Sequence, residues 1–407
     1  MQGYEKKNSF AVSFWVREYF FIPYLATDNY STRAMKILLL GEYSNVHWTL
    51  AEGLRQLGHE VIVASNGDFW KDYPRDVDLN RRPGALGRLD YMLRLLWYVP
   101  RMTGFDIVQL INPMFLELKA EHIVPLYRYL RRHNRRLVLG AFGMDYYWVH
   151  ENSTRMPLRY SDFNIGNQRR TDAVTMEYYN DWIDTPKGNL NVYIAKDCDA
   201  IVAGLYEYWA TYQPLFPDKT TFIPFPIRLT EETEVSTNVS DGTAPHPLRL
   251  FLGINRSRSV YKGTDIMLRA AQDAMHDYPD KIALQVVENV PFARYRQLMQ
   301  ESDAILDQLY SYTPSMNPLE AMSHGIICIG GGEPENYEIL HETELRPIIN
   351  VQPDYQSVYD AIVDLATHPE RISGLKRQSI RYIRKHHDYV KVARQYEQLY
   401  RSFLDRS

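Results

Sequence analysis

The run KILLLG at residues 36–41 is followed by HWTLAEGLRQLG at 47–58, with apolar residues at helical spacing and a closing glycine, and then by HEVIVAS at 59–65. A short, almost continuous apolar run suits a strand buried on both faces, as in parallel sheets. Joining two parallel strands requires a crossover, and the helical stretch supplies one. The pattern recurs: DIVQLIN (106–112), RLVLGAFG (136–143) and DAIVAGL (199–205) predict further strands, with helical spacing near 85–102 and 119–133 between the earlier ones. Right-handed crossovers place such a series in an open, doubly wound α/β sheet.

A second βα series starts at LRLFLGI (248–254) and runs through KIALQVV (281–287), AILDQL (304–309), a helix around NPLEAMSHG and IICIGGG (326–332). Residues 229–247, LTEETEVSTNVSDGTAPHP, have almost no large apolar side chains and read as a linker or exposed loop. The expected organisation is therefore two Rossmann-like doubly wound domains, 35–228 and 248–388, facing each other across a cleft. An amphipathic helix at 389–407 is expected to cross back to the first. Residues 1–34 precede the strand pattern and are expected to be an extension outside the core fold. Residues 144–190, rich in aromatic and polar side chains, interrupt the rhythm, and a long insertion beside the carboxyl ends of strands predicts a binding surface.

Composition narrows the class. With 45% hydrophobic and 24% charged residues in 407, neither wholesale disorder nor a membrane bundle fits. No stretch approaches the roughly 20 apolar residues that span a bilayer. Cys198 and Cys328 are too few for a disulfide framework or a zinc site, which suits a reducing cytoplasmic setting. A formal net charge of −4 gives no case for nucleic acid. An aromatic share of 13%, with 31 tyrosines, suits carbohydrate contacts, although tyrosines also fill cores. Arg81, Arg82, Arg88, Arg94 and Arg101 stud the apolar segment around 85–102. That segment is either a solvated face over a core helix or a peripheral contact with the inner face of a membrane.

Two stretches carry chemistry. GINRSRSVYKGTD (253–265) leaves a predicted strand with Arg256, Arg258 and Lys262 and places Gly263 before a helix, so cations and helix N–H groups can converge on one anion. If the anion is a nucleotide diphosphate, the same cations stabilise it as it leaves. NPLEAMSHGIICIGGGEPENYE (317–338) places Glu320 early in a helix, where its oxygens suit the vicinal hydroxyls of a ribose. Gly330, Gly331 and Gly332 then let backbone approach a ligand, and Glu333 and Glu335 are in position for sugar hydroxyls. Nearby, Asp307 and Gln308 end a strand. In the first series, Gly41 and His47 sit at one strand-to-helix turn, and Gly143 and Asp145 at another.

The order RSRSVYKG, LEAMSHG, GGEPE, together with GEYSNVHWTLAEGLRQLGHEV, resembles the retaining glycosyltransferases of family 4, which have the GT-B fold. The resemblance covers most of 35–400. It implies a nucleotide-sugar donor, a saccharide or polyprenyl-linked acceptor, a role in cell-surface polysaccharide synthesis and no resident cofactor or metal. It implies that Arg256 and Lys262 hold the donor diphosphate, Glu320 the ribose and the backbone around Gly331 to Glu335 the sugar and phosphates. Joined to the residues above, the candidates are Arg256, Lys262, Asp145 and His47 for catalysis and Gly41, Arg258, Asp307, Glu320, Gly331, Gly332, Glu333 and Glu335 for the donor, with the turns at Gly41 and Asp145 lining the cleft where the resemblance places the acceptor. One position departs: the first glutamate of the family's E-x7-E pattern falls on Tyr312. A noncatalytic binding partner therefore remains as an alternative, and a nucleotide-sugar epimerase, which would share the two-domain fold, is another. The D-x-D pairs Asp76/Asp78 and Asp197/Asp199, which a metal-dependent transferase would need, read as exposed junctions.

Overall fold

The computed structural model describes residues 33–229 and 246–404. Nearly all of the expected extension (1–34) and linker (229–247) lies outside these residues.

The first half runs β1 (Lys36–Leu40), α1 (Val46–Gln56), β2 (Glu60–Ser65), β3 (Val77–Asp78), α2 (Gly84–Tyr98), β4 (Ile107–Leu110), α3 (Ala120–His133), β5 (Arg136–Ala141), α4 (Tyr146–Thr154), β6 (Asn164–Ile165), β7 (Gln168–Arg169), α5 (Ala173–Trp182), α6 (Pro186–Asp197), β8 (Ala200–Ala203), α7 (Tyr206–Tyr212) and β9 (Thr220–Phe222). Seven of its strands form a parallel sheet in the order β3-β2-β1-β4-β5-β8-β9, while β6 and β7 pair as a small hairpin. The apolar runs explain the centre: Ile37 to Leu40, Ile107 to Leu110 and Leu137 to Leu139 are buried on both faces.

The second half runs β10 (Leu248–Gly253), α8 (Ser259–Lys262), α9 (Thr264–Asp277), β11 (Ile282–Val287), α10 (Phe292–Gln300), β12 (Ala304–Leu306), α11 (Met316–Ser323), β13 (Ile327–Gly330), α12 (Pro334–Ile339), β14 (Ile349–Asn350), α13 (Tyr355–Thr367) and α14 (Glu370–His386). Its five strands are parallel in the order β11-β10-β12-β13-β14. Both sheets reverse their winding once, between β1 and β4 in the first and between β10 and β12 in the second. Ligands of open α/β sheets bind beyond the carboxyl ends of strands at such reversals.

The chain passes between the halves twice, side by side: Ile227 donates to the His387 carbonyl at 2.7 Å and Tyr389 donates to the Ile227 carbonyl at 3.2 Å. The last helix, α15 (Tyr389–Leu404), lies on α1, where Gly53 leaves room for the Tyr389 carbonyl; a Cβ there would sit 2.5 Å from that oxygen. Buried Val392, Ala393, Tyr396 and Tyr400 join the core of the first half. Among the described residues, no helix is long and apolar enough to cross a membrane.

The insertion at 144–190 forms α4, the β6–β7 hairpin, α5 and the start of α6. It has its own core of Trp148, Val149, Leu158, Tyr160, Phe163 and Trp182, and this core takes in Tyr312 from the other half. The expected binding surface is thus an apolar strap between the two sheets.

Candidate functional site

A cavity of about 660 Å³ opens at the β10/β12 reversal, within the size range of small-molecule sites. Its floor is the carboxyl ends of β10 and β12: Gly253 to Asn255 and Leu306 to Gln308. One wall is aromatic, with Phe292 and Tyr295 from α10 and Trp70 and Tyr73 from the first half. Phe292 meets Trp70 and Tyr73 edge-on at centroid distances of 5.8 and 5.5 Å, joining the two halves at the rim. Such ring faces suit a nucleobase or a sugar.

Two lysines reach this cavity from opposite sides. Lys262 lies immediately before α9, whose N-terminal residue Thr264 also lines the cavity. Gly263 makes the sharp junction: its φ is +70°, and a Cβ would come within 2.6 Å of Leu309. Burial, reinforced by the neighbouring Arg258, lowers the pKa of Lys262 below the ordinary lysine range. Lys71, missed in the sequence reading, donates to Asp68 at 2.6 Å and to Ser44 at 3.0 Å. Beside a helix N-terminus, two ammonium groups can attract a phosphate-type anion, Lys71 being already paired with Asp68.

The other two cations of the predicted loop are turned elsewhere. Arg256 is largely exposed and forks onto Glu288 at 2.6 and 2.8 Å. Arg258 leans over the rings of Tyr178 and Tyr261, at 5.5 and 5.4 Å, within the strap contact. Neither lines the cavity. The short 3-10 turn over Arg256–Arg258 keeps both side chains out of the cavity lining, although Arg258 stays close enough to Lys262 to lower its pKa, an arrangement that spacing alone does not reveal.

Asp307 and Glu320 do line the cavity. Asp307 Oδ2 is buried with no hydrogen-bond partner among the described residues, and burial lifts its carboxyl to about 6. Glu320, on the first turns of α11, is held through Oε1 by Arg296 Nε at 2.6 Å, and Asn317 on the same helix donates to Tyr295 at 3.0 Å.

The triple-glycine turn does not reach the cavity. Gly331 is needed because a Cβ would sit 2.1 Å from the Ser311 carbonyl, and Gly332 packs on Ile348 and donates to Asn350 at 2.9 Å. The acidic pair after it is consumed by the strap. Glu333 accepts from Tyr160 and Arg159 at 2.6 Å each and from Gln352 and Asn350 at 2.9 and 3.1 Å, and Glu335 is paired with Arg159 as well. These bonds hold the Glu333 carboxyl below its ordinary range against the opposing effect of burial. Tyr312, where the resemblance expects a carboxylate, accepts from the Arg159 backbone at 2.6 Å. Beside it Glu207, from the first turn of α7, accepts from the Tyr312 and Thr313 amides at 2.8 and 3.0 Å and from the Thr313 hydroxyl at 2.6 Å. A carboxylate is thus present near this loop, supplied by the opposite half of the chain and directed at backbone.

A second cavity, about 340 Å³, occupies the β1/β4 reversal and is lined by Gly41, Glu42, Asn66, Phe69, Leu79, Tyr91, Met114 and Glu117 among others. Gly41, expected at the donor, belongs here. Glu42, not singled out in the sequence, caps α1 by accepting from the His47 and Trp48 amides at 3.2 and 2.9 Å, and burial raises its pKa to about 8. His47 is fully buried behind this wall. Its Nδ1 donates to the Gly41 carbonyl at 2.8 Å, so Nε2 is assigned as acceptor from Gln109 at 3.2 Å, and Gln109 accepts from Tyr400 at 2.8 Å. Burial lowers its pKa to about 3, which keeps the ring neutral. Asp145 is also fully buried; it caps α4 through the Trp148 amide at 2.8 Å and accepts from Tyr212 at 2.7 Å. Both side chains serve the framework and line neither cavity. The D-x-D pairs are ion-paired to arginines: Asp76 to Arg55, Asp78 to Arg75, and Asp197 and Asp199 to Arg131.

The chain matches no protein-family profile and no curated protein. Solved structures do match over nearly its whole length. Sucrose-phosphate synthase from Thermosynechococcus elongatus aligns with 92% of this chain and 100% of its own, at a TM-score of 0.57 and 14% identity. HepE from Anabaena, in complex with UDP-glucose, aligns with 90% of this chain and 100% of its own at 0.55 and 13%. The fold is GT-B. A UDP-N-acetylglucosamine 2-epimerase described from Listeria monocytogenes shares this GT-B architecture with 92% of the chain, at 0.53 and 11% identity. At these identities the likeness extends to the architecture alone.

Proposed function

We propose that the chain is a glycosyltransferase of the family 4 type, moving a sugar with retention of configuration from a nucleotide-diphosphate donor to a saccharide or lipid-linked acceptor in cell-surface polysaccharide synthesis. The observation that carries this reading is the cavity at the β10/β12 reversal. It combines Lys262 at a helix N-terminus, Glu320 on the adjoining helix and an aromatic wall drawn from both halves. The solved HepE complex, with UDP-glucose as its ligand on the same fold, supports a nucleotide sugar as donor.

In this reading Lys262, Lys71 and the α9 N-terminus hold the diphosphate and stabilise its charge as the glycosidic bond breaks. Glu320 exchanges Arg296 for the ribose hydroxyls. The acceptor enters at the β1/β4 reversal, where burial raises the Glu42 carboxyl to about 8. The nucleotide sugar is the substrate, and no resident cofactor or metal is invoked.

Calorimetric titration with UDP-glucose and other nucleotide sugars tests the donor assignment. Lys262→Ala and Glu320→Ala should each weaken the preferred donor at least about tenfold, the loss of a charged contact of ~1.5–3 kcal/mol. Unchanged affinity in both variants would overturn it. A noncatalytic partner is the second reading, favoured by one observation: Glu333 and Glu335 are already occupied by Arg159 and Tyr160. Donor binding without hydrolysis or transfer across a broad acceptor panel selects it. The Listeria neighbour supports an epimerase; inversion at C2 in UDP-N-acetylglucosamine incubated alone selects that reading.

A further inference from the structure

Helix α2 carries apolar residues on two opposite sides. Gly87, Tyr91 and Leu95, one turn apart, seat it against the first half. At 100° per residue the opposite side is Leu86, Leu89, Leu93, Leu96 and Trp97, with Met92 on the flank; Leu86, Leu96 and Trp97 are 84%, 69% and 60% exposed. A contiguous stripe of large apolar groups is uncommon on a soluble surface and marks a contact.

Charge identifies the contact. Segment 81–101 carries five arginines against one aspartate, in a chain whose formal net charge is −4. The aspartate, Asp90, is paired with Arg94 at 2.9 Å, and Arg101 lies over the Trp97 ring at 3.7 Å. Arg81 and Arg82 are exposed just before the helix, and Arg88 is exposed on it about 60° round from Tyr91, toward the inner side. The leucine spacing of three and four residues would also suit a second copy of the helix. Pairing two copies, however, would bring two such arginine-rich segments face to face. An apolar stripe on an arginine-rich segment is instead complementary to anionic headgroups above a hydrocarbon layer.

The inner side of the same helix adds a functional link. Tyr91 lines the β1/β4 cavity together with Leu79 and Phe69, and Phe69 is itself 59% exposed. We propose that α2 docks the chain on an anionic lipid surface and that the adjoining cavity receives an acceptor saccharide whose lipid carrier stays in the bilayer. The second clause rests on the transferase reading; the first does not.

Flotation of the whole chain with phosphatidylcholine vesicles, with and without phosphatidylglycerol, tests the docking. Binding is expected only with the anionic lipid and should fall with added salt. The double substitution Leu89→Glu and Leu93→Glu, at exposed positions, should reduce vesicle binding at least about tenfold while leaving UDP-glucose affinity unchanged. Because Cys198 and Cys328 are buried, a dye attached after Leu93→Cys should shift to the blue on anionic vesicles only. Equal binding to both lipids, binding that survives the double substitution, or a dimer dissolved by that substitution without vesicle binding would each overturn the proposal. Vesicle binding in a chain that binds no nucleotide sugar would leave the docking intact and remove the acceptor clause.

Discussion

Asp307 has the most testable chemistry of any single residue. Its ordinary carboxyl value is 3.8, and burial raises it to about 6. It is neutral below that value and negative above it, where it repels a diphosphate in the same cavity. The dissociation constant of UDP-glucose, whose diphosphate does not titrate near neutrality, should therefore rise several-fold between pH 5 and pH 8, centred near about 6. Asp307→Asn should flatten the profile, and calorimetry across that range checks it. His47 gives a contrasting case: neutral, fully buried and bonded to Gly41 and Gln109. His47→Ala should cost about 1–3 kcal/mol in urea unfolding while donor affinity stays within about twofold, because the ring faces neither cavity. Lys262 and Glu320 could be singled out from their own sequence neighbourhoods, since one lies in the segment between β10 and α9 and the other on the helix that follows β12. Lys71, Trp70 and Tyr73 could not: they reach the cavity from the other half, and no local spacing encodes such a meeting. His47 and Asp145 stand at the right turns, but a turn does not fix which way a side chain faces.

At the scale of elements, the strap decides how the two sheets communicate. Arg159 and Tyr160 converge on Glu333, while Glu207 satisfies two amides of the 311–313 loop. Arg170 adds bonds to the Val260 and Tyr261 carbonyls at 2.8 and 3.0 Å, fastening the end of α8. Opening the halves requires breaking these contacts together. Arg159→Ala should speed amide exchange across 333–339 and cost about 1–3 kcal/mol, the lower part applying because the arginine is partly exposed. Glu207→Ala leaves buried amides unpaired and should cost about 3 kcal/mol or more. Chemical denaturation measures both. In the sequence, the aromatic richness of 144–190 marked the insertion as special, yet its partners lie in the second half and carry no periodic signature. The short edge strands β3, β9 and β14 were likewise absent from the pattern, since two or three residues show no alternation.

For the whole molecule, the long apolar runs made the doubly wound architecture readable, because a parallel strand buried on both faces has few alternatives. One apolar cluster includes side chains of both halves, among them Ile227, Phe251, Ile305 and Tyr382. With the strap added, unfolding by urea should be a single transition in which intrinsic fluorescence and far-ultraviolet circular dichroism coincide; two separated steps would show that the halves are independent. Removing 389–404 should lower the midpoint, since Tyr396 and Tyr400 are fully buried in the first half. The paired crossings add something of a different kind. Ile227 and Asp388 sit side by side as a parallel bridge, so everything between them leaves and re-enters through one doorway. In genetic terms the second half is an insert with adjacent ends, and two splices at that doorway would exchange it for another while the last helix stays with its host.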